Sequence, residues 1–383
     1  MPQLRYTTPQ GITVTRSASK VPYALGLARL LKQLDTKRGA YLSSGYEYPE
    51  RYSRWDVAAV APPIEIIGRG RKFEIRSLNR RGKVLVALLG NLLRDHRHWE
   101  SFDQTEGLLT GELKPLAGRF PEEERSKQSS PFSILRTLIE EFQNPDDSRL
   151  ALIGAFGYDL LLQFDPIRLR LPRGSQKDLH LFLCDDIYVM DRKKEVIERF
   201  RYDFSGAAGS TTGLPRASGR VKGAKKRTHP AEIVSDHTPE EYMAKVEVVR
   251  DGMRQGNYYE VVLRQTFSAP YSGSPSELFQ RIQKTNPSPY QFILQMGDEQ
   301  LVGASPEMFV RVEGDRVETC PIAGTARRSG DALLDAESIR QLLNSTKDES
   351  ELTMCTDVDR NDKSRVCVPG SVRVIGRRLI ESY

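Results

Sequence analysis

The chain has 383 residues, 38% of them hydrophobic and 28% charged, with a formal net charge of +6. It is long enough to bury a sizeable core, and no apolar run approaches the ~20 residues that a membrane-spanning helix needs. The positive surplus lies wholly in residues 205–231, where Arg216, Arg220, Lys222, Lys225, Lys226 and Arg227 occur without an acid; such a basic loop on a neutral body reads as a solvated segment and argues against a nucleic-acid groove.

Cys184, Cys320, Cys355 and Cys367 are scattered without a Cys-x-x-Cys pair. They suggest neither a zinc site nor a disulfide framework and fit a reducing compartment. The opening Met-Pro-Gln-Leu-Arg-Tyr lacks the apolar core of a signal peptide, so the expected location is cytoplasmic.

In chain order, Tyr23–Arg38 has Leu27, Leu30, Leu31 and Leu34 at helical spacing, and residues 40–44 read as a strand. An aromatic and charged cluster follows at Gly45–Asp56. Ile64–Ile67, Lys72–Ser77 and Val84–Leu89 read as strands, with Asn79-Arg80-Arg81-Gly82 as a turn between the last two. Residues 132–142 read as a helix. Ala151–Asp159 reads as a buried strand whose Gly154 and Gly157 let neighbouring backbone approach closely. Residues 181–190 and 195–202 flank Asp191-Arg192-Lys193-Lys194 as a hairpin.

Residues 205–231, rich in Gly, Ser, Ala and basic side chains, read as a flexible linker. It divides an N-terminal lobe, 1–204, from a second lobe, 232–383. The second lobe opens with Thr238-Pro239-Glu240-Glu241, a helix start, and that helix stops at Gly256-Asn257. Tyr258–Phe267 is β-rich and residues 276–285 are helical, broken by Asn286-Pro287-Ser288-Pro289-Tyr290. Glu313-Gly314-Asp315 turns a hairpin between 308–312 and 316–319, preceded by Ser305-Pro306-Glu307.

Residues 318–371 carry the chemistry. Pro321-Ile322-Ala323-Gly324-Thr325 ends a strand pattern in small residues that let backbone approach a ligand. A helix over Asp348–Asn361 follows the capping stretch Asn344-Ser345-Thr346. Glu351 falls within its apolar stripe of Leu352, Met354, Cys355 and Val358. A carboxylate on such a stripe needs a partner, either a core arginine or a bound cation or substrate.

Pro-Ile-Ala-Gly-Thr, Glu-Ser-Glu-Leu (349–352), Asp-Arg-Asn-Asp (359–362) and Pro-Gly-Ser (369–371) follow one another in this order. In this they resemble the chorismate-binding fold of the anthranilate synthases, most closely the form fused to a glutamine amidotransferase. The resemblance implies an α+β fold, with β-sheets packed in a sandwich and helices outside. It implies that Glu351 binds a catalytic Mg²⁺ with Asp348 one turn before it, and that Gly324 and Thr325, beside Ala323, bind chorismate. It makes Glu307 a proton-transfer or substrate-contact residue. Ser44, Pro289 and Tyr290 become candidates for a tryptophan feedback site, with Ser43 where the family typically has Glu and Gln291 where it has Met.

Two positions separate sibling chemistries within that resemblance. Aminodeoxychorismate synthases carry a nucleophilic Lys where this chain has Ala323, and isochorismate and salicylate synthases carry a water-activating Lys where it has Glu260. The reading is therefore a carbon–oxygen lyase of tryptophan biosynthesis that takes chorismate and ammonia to anthranilate and pyruvate. The ammonia comes from an amidotransferase domain or subunit absent from this chain, and tryptophan inhibits. Alternatives are a phenazine-pathway relative that keeps the pyruvate, and a non-catalytic tryptophan-binding remnant. Because the family continues past the position of Tyr383 to a catalytic His and a second Mg²⁺-binding Glu, the expectation is an incomplete chorismate-binding lobe, inactive alone, and a possible homo-oligomer when full length.

Overall fold

The structure, a computed structural model, describes the chain except residues 1–2, 46–54, 117–119, 122–123, 125–126, 165–166, 171, 218, 222–231 and 383. Most of the aromatic cluster at 45–56 and the most basic part of 205–231 thus lie outside the described residues.

Every strand pairing among the described residues is antiparallel. In the larger sheet the strands lie in the order Leu4–Thr7, Thr13–Val21, Val196–Gly206, Asp186–Asp191, Trp55–Val60, Gly39–Ser43, Tyr290–Gln295, Gln300–Ser305, with Gly209–Ser210 added to Val196–Gly206. The smaller sheet runs Trp99–Thr105, Leu108–Leu113, Lys72–Ser77, Ile64–Arg69, Leu179–Cys184, Ala151–Phe156. One continuous core joins both sheets to the helices Arg80–Leu93 and Pro131–Phe142. A second cluster seats the helices Tyr23–Leu34 and Pro275–Thr285 against the large sheet through Leu30, Leu34, Tyr41, Phe279 and Ile293. The expected α+β architecture of packed sheets and covering helices is the one observed.

Three local expectations change. Val84–Leu89 is helical, not a strand. Asn79 accepts a hydrogen bond from the Gly82 amide and caps the helix Arg80–Leu93, so the stretch read as a turn is a helix start. Arg81, on its first turn, is fully buried and donates to Asp185, to Asp203 (2.9 Å) and to the Tyr202 and Thr211 carbonyls. These tertiary bonds hold the first turn in place. The run 181–190 is two strands, one in each sheet, with Asp185 at the crossing as Arg81's partner. Tyr258–Val262 is exposed and forms no strand, and in that stretch only Phe267–Ser268 pairs, with Val234–Ser235.

Residues 205–221 are not a free linker either. Val196–Gly206 is a strand to its end, Thr211 is fully buried, and Arg216 donates to the Tyr202 carbonyl (2.6 Å) and Asp203 (3.1 Å). The large sheet also takes strands from both sides of that segment, because Tyr290–Gln295 pairs with Gly39–Ser43.

Burial is uneven along the chain. The helices Ala332–Leu343 and Thr346–Ser364 contain no buried residue. Phe309, Tyr259, Val262, Leu333 and Ile375 are each more than four-fifths exposed. The hairpin Met308–Glu313/Arg316–Cys320 pairs with no other described strand, and Gln300–Ser305 is the outer strand of its sheet. No helix among the described residues is long and apolar enough to cross a membrane.

Candidate functional site

The strand Tyr290–Gln295 lies between Gly39–Ser43 and Gln300–Ser305. The register sets Gln291 opposite Ser43 and Tyr290 opposite Ser305, two residues before Glu307. Hence one strand adjoins both the expected effector residues and the loop bearing Glu307. A Cβ on Gly45 would lie 2.5 Å from the Ser288 carbonyl and 2.4 Å from the Gln291 side chain, so the two segments touch with no room for more than hydrogen.

Ser44 is held from below. Its amide donates to Asp56 Oδ1 (3.0 Å), Arg192 donates to its carbonyl, and the Tyr41 hydroxyl donates to Asp56 Oδ2 (2.6 Å). Burial raises the Asp56 carboxyl above its usual range against the pull of Tyr41 and Arg192. Pro289 is buried and Tyr290 half-buried. Burial also pushes the Tyr290 hydroxyl up. Gln291, buried, accepts from Gln283 (3.1 Å) and donates to the Asn286 carbonyl (3.3 Å).

Gly324 has φ +78°, a left-handed conformation that glycine adopts without strain. A Cβ there would stand 3.0 Å from Asp348 Cβ and Cγ and 3.0 Å from Leu342 Cδ1. The Ala323-Gly324-Thr325 loop therefore rests on the first turn of Thr346–Ser364, capped by the Ser345 hydroxyl, which accepts from the Asp348 amide (3.3 Å). Ala323 is half-buried and Thr325 exposed.

Glu351 is not sealed on an apolar stripe as expected. Its side chain is 37% exposed and meets Lys347 Nζ at 3.4 Å. Val358, assigned to that stripe, is exposed, and the helix lacks the buried apolar ridge that would enclose a carboxylate. Asp348, which Gly324 abuts, shares one ridge of the helix with Glu351, Cys355 and Asp359, within an arc of about 80° at 100° per residue. Burial pushes the Cys355 thiol up, and the negative charges of Glu260, Glu351, Asp359 and Glu307 push it further. At the far end Thr319 donates to Asp359 and accepts from Lys363, and Lys363 Nζ lies 3.4 Å from Asp359. Thr319, Asp359 and Lys363 were not among the sequence candidates, although Asp359, eight residues past Glu351, repeats the same helix face.

Glu307 is exposed at the end of the outer strand, its amide donating to Ser305 Oγ (3.2 Å). Among the described residues no three His, Cys, Asp or Glu side chains are gathered to hold a metal by themselves. The donors present are carboxylate oxygens, the type that suits Mg²⁺, which is commonly bound by one or two carboxylates together with substrate oxygens and water.

The sequence profile of the chorismate binding enzymes matches residues 96–383. The chain belongs to that family. Among curated members, the anthranilate synthase of Azospirillum brasilense is 46% identical over 382 residues, 99% of this chain and 52% of that enzyme. The aminodeoxychorismate synthase component 1 of Salmonella typhimurium is 31% identical over 66% of this chain and 56% of its own length. The chain thus spans about half the length of these curated relatives. Among solved structures, anthranilate synthase component I of Streptococcus pneumoniae superposes with a TM-score of 0.52 at 23% identity, covering 84% of this chain and 63% of that one. That likeness bears on the fold. Chorismate-binding enzymes with different amine chemistry thus stand among the relatives, so the individual site residues have to discriminate.

Proposed function

We propose that this chain is the chorismate-recognising portion of an anthranilate synthase acting in tryptophan biosynthesis. The observation that carries the reading is the contact of the Ala323-Gly324-Thr325 loop with the helix bearing Asp348 and Glu351, in a chain that matches the Azospirillum enzyme along almost its whole length. The Gly324 and Thr325 amides and the Thr325 hydroxyl orient the ring carboxylate of chorismate. Ala323 offers no amine, and Glu260 rather than a lysine stands with Glu307 and Glu351 near Cys355. The nucleophile is therefore ammonia, supplied by a glutamine amidotransferase.

A carbon–nitrogen bond forms on the ring and the ring hydroxyl leaves as water. A ring proton is then removed as the bond between the ring carbon and the ether oxygen breaks; the enolpyruvate that leaves takes up a proton at its methylene carbon to become pyruvate, and anthranilate remains. Glu307 is the candidate to hold the transferred proton. Mg²⁺, held by Glu351 together with substrate oxygens, would neutralise the substrate carboxylate when bound. Tryptophan is the proposed effector, between Ser44 and Pro289-Tyr290, and the proposed location is the cytoplasm.

Glu307 and Glu351 both meet solvent, whereas electrostatic stabilisation of this chemistry requires a site closed to water. The chain alone is therefore expected to bind chorismate without turning it over. Calorimetry with chorismate and a fluorescence assay for anthranilate, with ammonium and Mg²⁺ present, test both parts. Saturable 1:1 binding supports the reading, absence of binding at millimolar chorismate overturns it, and rapid anthranilate formation overturns the expectation of inactivity.

A further inference from the structure

Two contacts join the segment Thr319–Gly324 to the helix Thr346–Ser364. At one end Gly324 rests on Asp348. At the other, Thr319 donates to Asp359 and accepts from Lys363. The lengths agree: eleven helical residues from Asp348 to Asp359 rise about 16 Å, and five extended residues from Thr319 to Gly324 span about 17 Å. The segment therefore runs antiparallel to the helix, fixed at both ends, with Glu351 and Cys355 on the ridge between. Asp359 and Lys363 touch neither Gly324 nor Thr325, and they lie two and three turns beyond Glu351.

Lys363 is 18% exposed and Asp359 30% exposed, so this pair is better shielded than the surface pairs Asp357–Arg360 and Lys347–Glu351 on the same helix. A shielded charged pair closing on a hydroxyl is directional and holds its partner in register. Neither end suffices alone. The glycine contact is a packing contact that permits sliding, and the Thr319 contact lies five residues from the loop it would fix.

We infer that Asp359 and Lys363 are positioning residues. Through Thr319 they set the register of the Ala323-Gly324-Thr325 loop against Glu351, and so the spacing between substrate carboxylate and metal-binding carboxylate. The functional part of this inference rests on the proposed chorismate reading; the clamp itself does not.

Cys355, between the two contacts, is a built-in reporter. Its alkylation by iodoacetamide, followed by peptide mass spectrometry, measures opening of the helix from the loop, with the fully buried Cys184 as the control for global unfolding. Thr319→Val, which removes the hydroxyl at constant shape, and Lys363→Met are each expected to speed Cys355 alkylation about tenfold. Cys184 stays protected and chorismate binding weakens in parallel. Thr319→Ser restores both readouts to near wild type, and Asp357→Ala, on the outer face, changes neither. Unchanged Cys355 reactivity in both Thr319→Val and Lys363→Met overturns the inference, as does failure of Thr319→Ser to restore it. If one variant exposes Cys184, the other decides. If the wild type binds no chorismate, the functional reading fails, and Cys355 reactivity still decides the clamp.

Discussion

Asp348 covers the face of Gly324 so closely that a methyl group on the glycine would lie 3.0 Å from its Cβ and Cγ. Such a contact ties the conformation of the Ala323-Gly324-Thr325 loop to the first turn of one helix. Gly324→Ala meets two obstacles: the positive φ and the crowding by Asp348 and Leu342. It is expected to cost about 1–2 kcal/mol locally. Chorismate affinity should fall about tenfold or more, with little change in overall melting temperature because the loop lies far from the main core. Calorimetry and circular dichroism check the two halves of this expectation.

The buried Glu65 carboxylate of the smaller sheet makes stability fall in acid. Glu65 is 2% exposed; burial opposes its ionisation, yet His180 Nε2 at 3.0 Å, Arg38 and Arg76 outweigh it and hold the carboxyl below its usual range. A carboxyl depressed in the folded state adds stability above its unfolded pKa and loses it as the pH falls through the folded value. Urea midpoints should therefore be flat near neutrality and drop below about pH 4. In Glu65→Gln the neutral plateau should be lower and that acid drop shallower.

The uneven burial of the chain has a solution consequence. Phe309 at 85% exposure, with the exposed Val310 and Val312, puts apolar area on a hairpin that pairs with no other described strand. The chain should bind the dye ANS in its native state and self-associate at tens of micromolar, seen by sedimentation. Phe309→Asp should reduce both signals without lowering the helix content.

Gly45 separates the proposed tryptophan site from the proposed chorismate site. Its backbone abuts the Ser288 carbonyl and the Gln291 side chain, so Gly45→Ala must push the two segments apart. On the proposed effector reading, this variant loses tryptophan binding at least tenfold in calorimetry and keeps its chorismate affinity. Loss of both would place the disturbance in the strand Tyr290–Gln295, which the two sites share.

The fold was legible where local chemistry and tertiary context agreed. The helix starts at Thr238-Pro239 as expected, where Thr238 and Glu241 form a capping box, and the Gly314 turn closes the expected hairpin. Gly154 lies where a Cβ would stand 2.1 Å from the His180 carbonyl, as its place in a strand implied. Reading failed where one long-range partner decided. Nothing local announces that Arg81 will be buried by Asp185, more than a hundred residues later, so a helix start read as a turn. In the candidate site, sequence motifs singled out Gly324 and Glu351, and the structure sets Gly324 against Asp348, on the helix that bears Glu351. The hydrophobic stripe read from the helix was misleading because Leu352, Met354 and Cys355 are only half-buried and Val358 is exposed, so no apolar ridge encloses Glu351.

Glu351 is proposed to serve chorismate through a bound cation while Gly324 and Thr325 hold the carboxylate. Calorimetric titration of chorismate with and without Mg²⁺, in the wild type and in Glu351→Gln, tests this directly. The prediction is that Mg²⁺ tightens wild-type binding about tenfold or more and that Glu351→Gln abolishes the Mg²⁺ effect with the fold intact. Equal, Mg²⁺-independent chorismate binding in both proteins would contradict it.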